Sequence, residues 1–354
     1  MLEIFRPMVD MAGFAWYAFF GSMRRSIMPC LGFLADSASS HTWGLNSSYG
    51  VFLAQYLSTN TFPGATRLDF AFIGGLSISQ ALLISPLVTA ITRLYGTRTT
   101  LFLGVFFETI SLIGASFANR IWHLFLSQGI CFGWGMGFLF VGSVVIVPQW
   151  FTTRRSLANG ISTAGSGLGG LIYSLGAQAM IDRISLEWAF RILGILACVV
   201  NLICVVLIKD RNKQIGSSQL AFDYRLLRRP EFILLQIFGF LSMLGYIVLL
   251  FSLPNYAESV GMTAKQGSII GATLNLGQAL GRGPIGYFSD AMGRINMAGT
   301  TTFLAGLFSL VIWIFAKSYS VLIFFALIGG TVAGTFWAVR QNFLPFLSSQ
   351  TIGH

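Results

Sequence analysis

The chain has 354 residues, of which 55% are hydrophobic and 10% charged, against roughly one-quarter charged in an ordinary soluble domain. That balance excludes a soluble globular body and describes a polytopic membrane protein whose partner is the lipid bilayer. The net charge of +10 does not signal nucleic acid, because the basic residues lie in short gaps between apolar runs rather than on one polar face.

Cys30, Cys131, Cys198 and Cys204 are scattered without metal-ligand or redox spacing, and His41, His123 and His354 are equally isolated. No metal cluster, hydrolytic triad or cofactor site can be assembled from them.

Residues 1–40 form an irregular amino-terminal segment, in which Ala12 to Met23 is apolar but too short to span and Arg24 and Arg25 interrupt it. A signal peptide would place its basic residues before the apolar core, whereas here Asp10 precedes it and the arginines follow. Apolar runs then occur at about 43–57, 68–91, 99–118, 121–147, 157–181 and 188–208, and again at about 231–253, 266–288, 297–316 and 319–339. At roughly 20 residues per crossing these predict ten helical spans, six plus four. The expected organisation is a bundle over 41–208, a polar central loop over 209–230, a second bundle over 231–339 and a tail over 340–354.

Arg93 and Arg98, Arg154 and Arg155, the cluster from Lys209 to Arg229, and Arg294 all fall in alternate loops on one side, which marks that side and the amino terminus as cytosolic. An internal repeat is visible as well. Ser85, Pro86, Arg93, Gly96 and Arg98 close the second span of the first set much as 281–294 closes the second span of the second, although the first copy lacks an aspartate at the corresponding place.

Gly286, Asp290, Gly293 and Arg294 have the spacing of a Gly-x-x-x-Asp helix end followed by a tight basic turn. This resembles the loop signature of the major facilitator superfamily. Asp290 can accept hydrogen bonds from an adjacent helix N-terminus, so the loop is a candidate latch, and Arg154 and Arg155 are further gate candidates. The alternative is a polar turn with a positive-inside arginine and no gating role. The run Trp150-Phe151, Arg154-Arg155, Leu157-Ala158-Asn159-Gly160 and Ala164-Gly165-Ser166 is similar to the helix 4–5 connection of the monocarboxylate transporter group, and Asn275 to Arg282 resembles the eighth helix of fungal members.

The resemblance implies an all-α major facilitator-type bundle of two pseudo-symmetric halves, with about ten of the expected twelve spans present. It also implies departures. Ser22 to Ser40 reads as extra sequence after a degraded first-helix signature at 10–16, and the chain stops at His354 where the family would supply two more helices. The lactate-site lysine, aspartate and arginine of the family fall at Ser47, Gln278 and Arg282, so only the arginine is kept.

Gly271, Asn275, Gln278 and Arg282 follow i, i+4, i+7, i+11 spacing and form one polar stripe on a helix that is otherwise apolar. Arg282 offers a planar fork that suits a carboxylate. It also lies roughly 9 Å from the cytosolic end at 1.5 Å per residue, within snorkelling reach. Asn46 and Tyr49 lie one turn apart and could line the same cavity as that stripe, with Gln128 and Gln236 as weaker candidates; the alternative for each is a bond across to a neighbouring helix. Glu108 sits mid-span, where a charge costs at least about 2.5 kcal/mol, and must be neutral, paired or cavity-lining, a candidate proton site; the alternative is a structural role, since third helices in the resembled fold support the cavity-lining ones. Gly165-Ser-Gly167-Leu-Gly169-Gly170 matches a dinucleotide fingerprint, but no strand precedes it. Together with Gly133, Gly135, Gly137, Gly277 and Gly281 it reads as close helix packing.

The leading expectation is a secondary transporter of a small organic solute, a monocarboxylate or related metabolite, with a proton as possible co-substrate, in the plasma membrane. The competing reading is a membrane sensor or truncated member without turnover. An intramembrane enzyme would need convergent acid, base or metal ligands at one depth, and the sequence offers none.

Overall fold

The structure is a computed structural model and describes residues 41–144, 146, 155–208 and 228–334. Those residues are mainly helical, joined by short turns, without strands. In chain order the elements are α1 (Tyr49–Thr59), α2 (Arg67–Leu83), α3 (Ser85–Tyr95), α4 (Thr97–Ala115), α5 (Ile121–Leu124), a π-helical segment (Phe125–Cys131), α6 (Phe132–Val144), α7 (Arg155–Arg183), α8 (Leu186–Leu207), α9 (Pro230–Ser259), α10 (Ala264–Met292), α11 (Arg294–Val311), a 3-10 turn (Trp313–Phe315) and α12 (Tyr319–Val332). Residues 41–47 are also helical and join α1 through a turn at Ser48.

Each of the ten expected spans coincides with one of these segments, but several are broken or longer than the apolar runs. The second bends by 43° at Ile84, where Pro86 in the first turn of α3 has no N–H to continue the ladder. The seventh runs on through Pro254 to Ser259. Five helices are long and apolar enough to cross a membrane, six counting the bent pair as one.

The lipid-facing helices carry the apolar signal. Only 11% of the apolar window of α11 is buried, and α8 reaches a mean hydropathy of 2.6. By contrast α7 and α10, 29 residues each, are rich in Gly, Ser and Asn because they face each other instead of acyl chains.

The two halves repeat one plan. The second span of each opens on a threonine capping box, Thr66 with Asp69 and Thr263 with Gln266. Each closes at the same interval on a glycine with positive φ, Gly96 at 89° and Gly293 at 93°, which is at once the cap of the next helix. In that register Tyr49 corresponds to Tyr246, Gly74 to Gly271 and Arg93 to Asp290, so the first copy places a cation where the second has its acceptor. Arg98, next to the first junction, donates to the Val206 and Ile208 carbonyls at 3.5 and 3.4 Å and so caps the C-terminal end of α8.

Candidate functional site

The halves meet chiefly where α7 runs antiparallel along α10, with a smaller contact of α1 on α9 and α10. Glycine makes the first approach possible. A Cβ at Gly160 would lie 2.4 Å from the Arg282 carbonyl oxygen, one at Gly167 2.6 Å from Ala279 N, and one at Gly170 2.5 Å from the Asn275 side chain. From the other helix, a Cβ at Gly286 would lie 2.5 Å from the Ser156 carbonyl oxygen. On its far face α10 presents Gly277 and Gly281 to Leu327 and Thr331 of α12 with equal closeness. Gly133, Gly135 and Gly137 of α6 likewise abut Ser77, Glu108 and Ile84.

Arg282 sits in the seam and is only 4% exposed, so it does not snorkel. Its Nη1 donates to the Thr163 carbonyl and to Ser166 Oγ on α7, and Nη2 donates to Gln278 Oε1 at 2.7 Å. Tyr246 of α9 donates to the same Gln278 oxygen at 3.0 Å. Asn275 Nδ2 turns back to the Gly271 carbonyl at 3.1 Å. Arg282 Nε, Gln278 Nε2, Asn275 Oδ1 and Asn159 Nδ2 are buried without a partner. Every group bonded to the guanidinium is neutral. A buried cation held only by dipoles leaves several kcal/mol of desolvation for an anion to offset.

At the end of the seam Asp290 accepts from Ser156 N at 3.3 Å and Leu157 N at 3.1 Å, two N–H groups of the first turn of α7. The carboxylate sits at the C-terminal end of its own helix, where the dipole disfavours it, so the neighbouring N-terminus is what stabilises it there. Gly293 makes the turn into α11 and Arg294 begins it. Arg154 lies outside the described residues, and for Arg155 only its place as the first residue of α7 is described.

Asn46 and Tyr49 are not brought to the 275–282 stripe. They line a separate cavity inside the first half, with Leu45, Phe52, Ser77, Leu112, Gln128, Phe132 and Phe190. Its free space admits water centres over about 30 Å³, enough for one or two water molecules. Tyr49 spends its hydroxyl on the Phe70 carbonyl at 2.6 Å, while Gln128, carried on the π-helical segment, donates to Tyr56 Oη at 3.0 Å. Asn46 Nδ2 and Gln128 Oε1 remain unpartnered. Gln236 is exposed on the outer face of α9. Glu108 is buried and bonded to Asn201 of α8.

Sequence reasoning missed Tyr246, Thr163, Ser166 and Asn201. The signal for Tyr246 was present in its repeat partner Tyr49. Thr163 contributes through its backbone carbonyl, which side-chain patterns do not report.

The profile of the Major Facilitator Superfamily matches residues 17–264 and 235–350. The chain belongs to the major facilitator superfamily. Among curated major facilitator relatives it is 35% identical to the probable transporter MCH2 of Saccharomyces cerevisiae over 301 residues, 84% of this chain and 64% of that protein. It is 33% identical to the uncharacterized transporter ESBP6 of the same yeast, covering 83% of this chain and 45% of that one. It is 27% identical to the MFS-type transporter pynF of Aspergillus niger, over 81% and 67% respectively. The chain thus spans less than two thirds of the first two relatives' length. As a major facilitator it is a multi-pass membrane protein.

Proposed function

We propose that the chain carries a small organic anion, most simply a monocarboxylate, by alternating access, with Arg282 as the group that receives the carboxylate and a proton moving with it. One observation carries this reading: a fully buried guanidinium, bonded only to neutral groups, lies at the interface of the two halves. In the closed seam its fork is occupied by the Thr163 carbonyl and Ser166 on the opposite half. When α7 and α10 part, those bonds are lost and the fork is free to take both oxygens of a carboxylate, a stronger charge-assisted pair. Gln278, Asn275 and Tyr246 then orient the rest of the solute. Asp290 on the α7 N-terminus, with Gly286 packed against Ser156 and with Gly293 and Arg294 at the turn, acts as the latch on the cytosolic side, and Arg154 and Arg155 are further gate candidates from the sequence motif. Asn46 and Tyr49 belong to the neighbouring half and shape its inner wall. Lysine and arginine alternation supports a cytosolic amino terminus, with residues 41–208 and 231–339 as the two moving bodies.

The test is uptake of labelled monocarboxylates into vesicles holding the full-length protein. Arg282→Ala is expected to lower uptake about 10- to 150-fold, since removing the fork forfeits a charge-assisted pair of about 1.5–3 kcal/mol while Tyr246 still holds Gln278. Arg282→Lys should restore only a part, because an ammonium cannot grip both oxygens. Equal uptake by Arg282→Ala and the parent protein refutes the assignment.

A further inference from the structure

Glu108 is 1% exposed and stands mid-way along α4. α8 packs on one flank, and α6 approaches so closely that a Cβ at Gly135 would lie 2.5 Å from Glu108 N. Glu108 Oε2 accepts from Asn201 Nδ2 at 2.7 Å. Glu108 Oε1, Asn201 Oδ1 and the hydroxyl of Ser111, one turn on along α4, are buried without partners. Among the described residues no cation is bonded to the carboxyl. Among elements packed on α4, α6 has no titratable residue, the π-helical segment brings Cys131, α5 His123, and α3 Arg93 and Tyr95. α8 brings Glu187, Cys198, Cys204 and Arg191, and that arginine is committed to Ser116 Oγ and the rings of Phe117 and Trp188. Tyr173 of α7, within electrostatic range, has its hydroxyl on His41.

The orphaned atoms fit one explanation. With Glu108 ionised, Oε1 and Asn201 Oδ1 are both acceptors and neither can be satisfied by the other. With a proton on Oε1, that oxygen donates to Asn201 Oδ1 while Oε2 continues to accept from Nδ2, and the two orphans resolve together. We propose that Glu108 carries a proton in this conformation, held as an acid–amide pair with Asn201, and that this pair is the proton-carrying site of the transport cycle. Release transfers the proton from Oε1 to a water molecule and leaves a carboxylate, which requires water at α4. Ser111 and Leu112 occupy the next turn, and Leu112 lines the cavity where the unpartnered Asn46 and Gln128 amide atoms can hold that water. The coupling half of the proposal rests on the transporter reading, whereas the protonation half does not.

Infrared spectroscopy of the full protein in liposomes at neutral pH separates the two. The parent should show a carboxylic-acid carbonyl band that is absent in Glu108→Gln and shifted to higher frequency in Asn201→Leu, which strips the amide partner. Glu108→Gln can form an amide–amide pair with Asn201, so its fold is expected to hold. Absence of the band in the parent overturns the proton site whatever the protein transports. In vesicles, stimulation of uptake by an imposed proton gradient should fall at least tenfold in Glu108→Gln while gradient-free exchange persists. Undiminished stimulation, or no uptake by the parent, overturns the coupling role, and in the second case the spectrum still decides whether Glu108 holds a proton.

Discussion

Gly160→Ala is the most discriminating change in the seam. The added methyl would sit 2.4 Å from a backbone carbonyl, whereas contacts become tolerable only from 3.0 Å and ordinary from 3.4 Å, so the helices must part locally by roughly 0.6 to 1 Å. The obstacle is main chain and cannot swing aside, and overpacking of this kind costs about 1–3 kcal/mol. Carried one turn to the end of the seam, the same parting stretches the 3.1 Å bond from Leu157 N to Asp290 beyond useful range. That forfeits about 0.5–1.5 kcal/mol more. Together these shift the balance between closed and parted halves by about ten-fold to more than a thousand-fold, at 1.4 kcal/mol per factor of ten. Pulsed electron-spin distances between labels on the outer faces of α7 and α10 near Asp290 should show a longer, newly populated component. Gly176→Ala, on the same helix with nothing within 4 Å of the added methyl, is the control and should leave the distribution unchanged. If the two variants give the same distances, close packing at Gly160 does not set the closed state and the seam argument is wrong.

Asp290→Asn keeps the shape of the latch and removes its charge. It should raise the parted population about two- to five-fold, from the roughly 0.3–1 kcal/mol of an exposed carboxylate at a helix N-terminus, read out by the same spin labels. High salt should shrink the difference between parent and variant, and a salt-independent difference would point away from the dipole. Tyr246→Phe deletes one donor to Gln278. The loss of about 1 kcal/mol should raise the half-saturating solute concentration about five-fold with little change in maximal rate. A fall in maximal rate alone would make Tyr246 part of the moving machinery instead of the solute site.

The helical architecture was legible because apolar runs of membrane length leave few alternatives. Where the sequence reading slipped, local chemistry had changed the pattern. α7 and α10 are long yet weakly apolar, and they declare themselves through glycine spacing, which reports close packing but not the partner. The bend at Ile84 follows from Pro86, whereas Pro254 and Pro284 lie within continuous helices, so proline alone does not predict a break. The stripe from Gly271 to Arg282 was visible as periodicity. Asn46 and Tyr49 were assigned to the same cavity because one-turn spacing fixes a face of a helix without saying which neighbour that face meets. The structure sets that face against Ser77, Gln128 and Phe190 of its own half and, at Tyr49, against the ring of Phe251 on α9.

The repeat makes the differences between the halves informative. Tyr49 and Tyr246 both reach from the first span of a half to the second, yet one bonds a backbone carbonyl and the other the Gln278 amide that also holds Arg282. Among the described residues each half contains one buried residue of the Asp, Glu, Lys and Arg types, an acid at 108 and a base at 282. If Glu108 takes up one proton for each carboxylate that Arg282 takes up, the cargo is electrically neutral. Moving one net charge across the membrane would instead be worth about 2.3 kcal/mol per 100 mV, or roughly a fifty-fold change in accumulation. Vesicles clamped with a potassium diffusion potential of about 100 mV, at equal pH inside and out, should therefore show carboxylate accumulation within about two-fold of unclamped vesicles. A change of tens of fold would mean that a charge crosses uncompensated, and the pairing of Glu108 with Arg282 as two halves of one stoichiometry would have to be abandoned even if each residue proved necessary by itself.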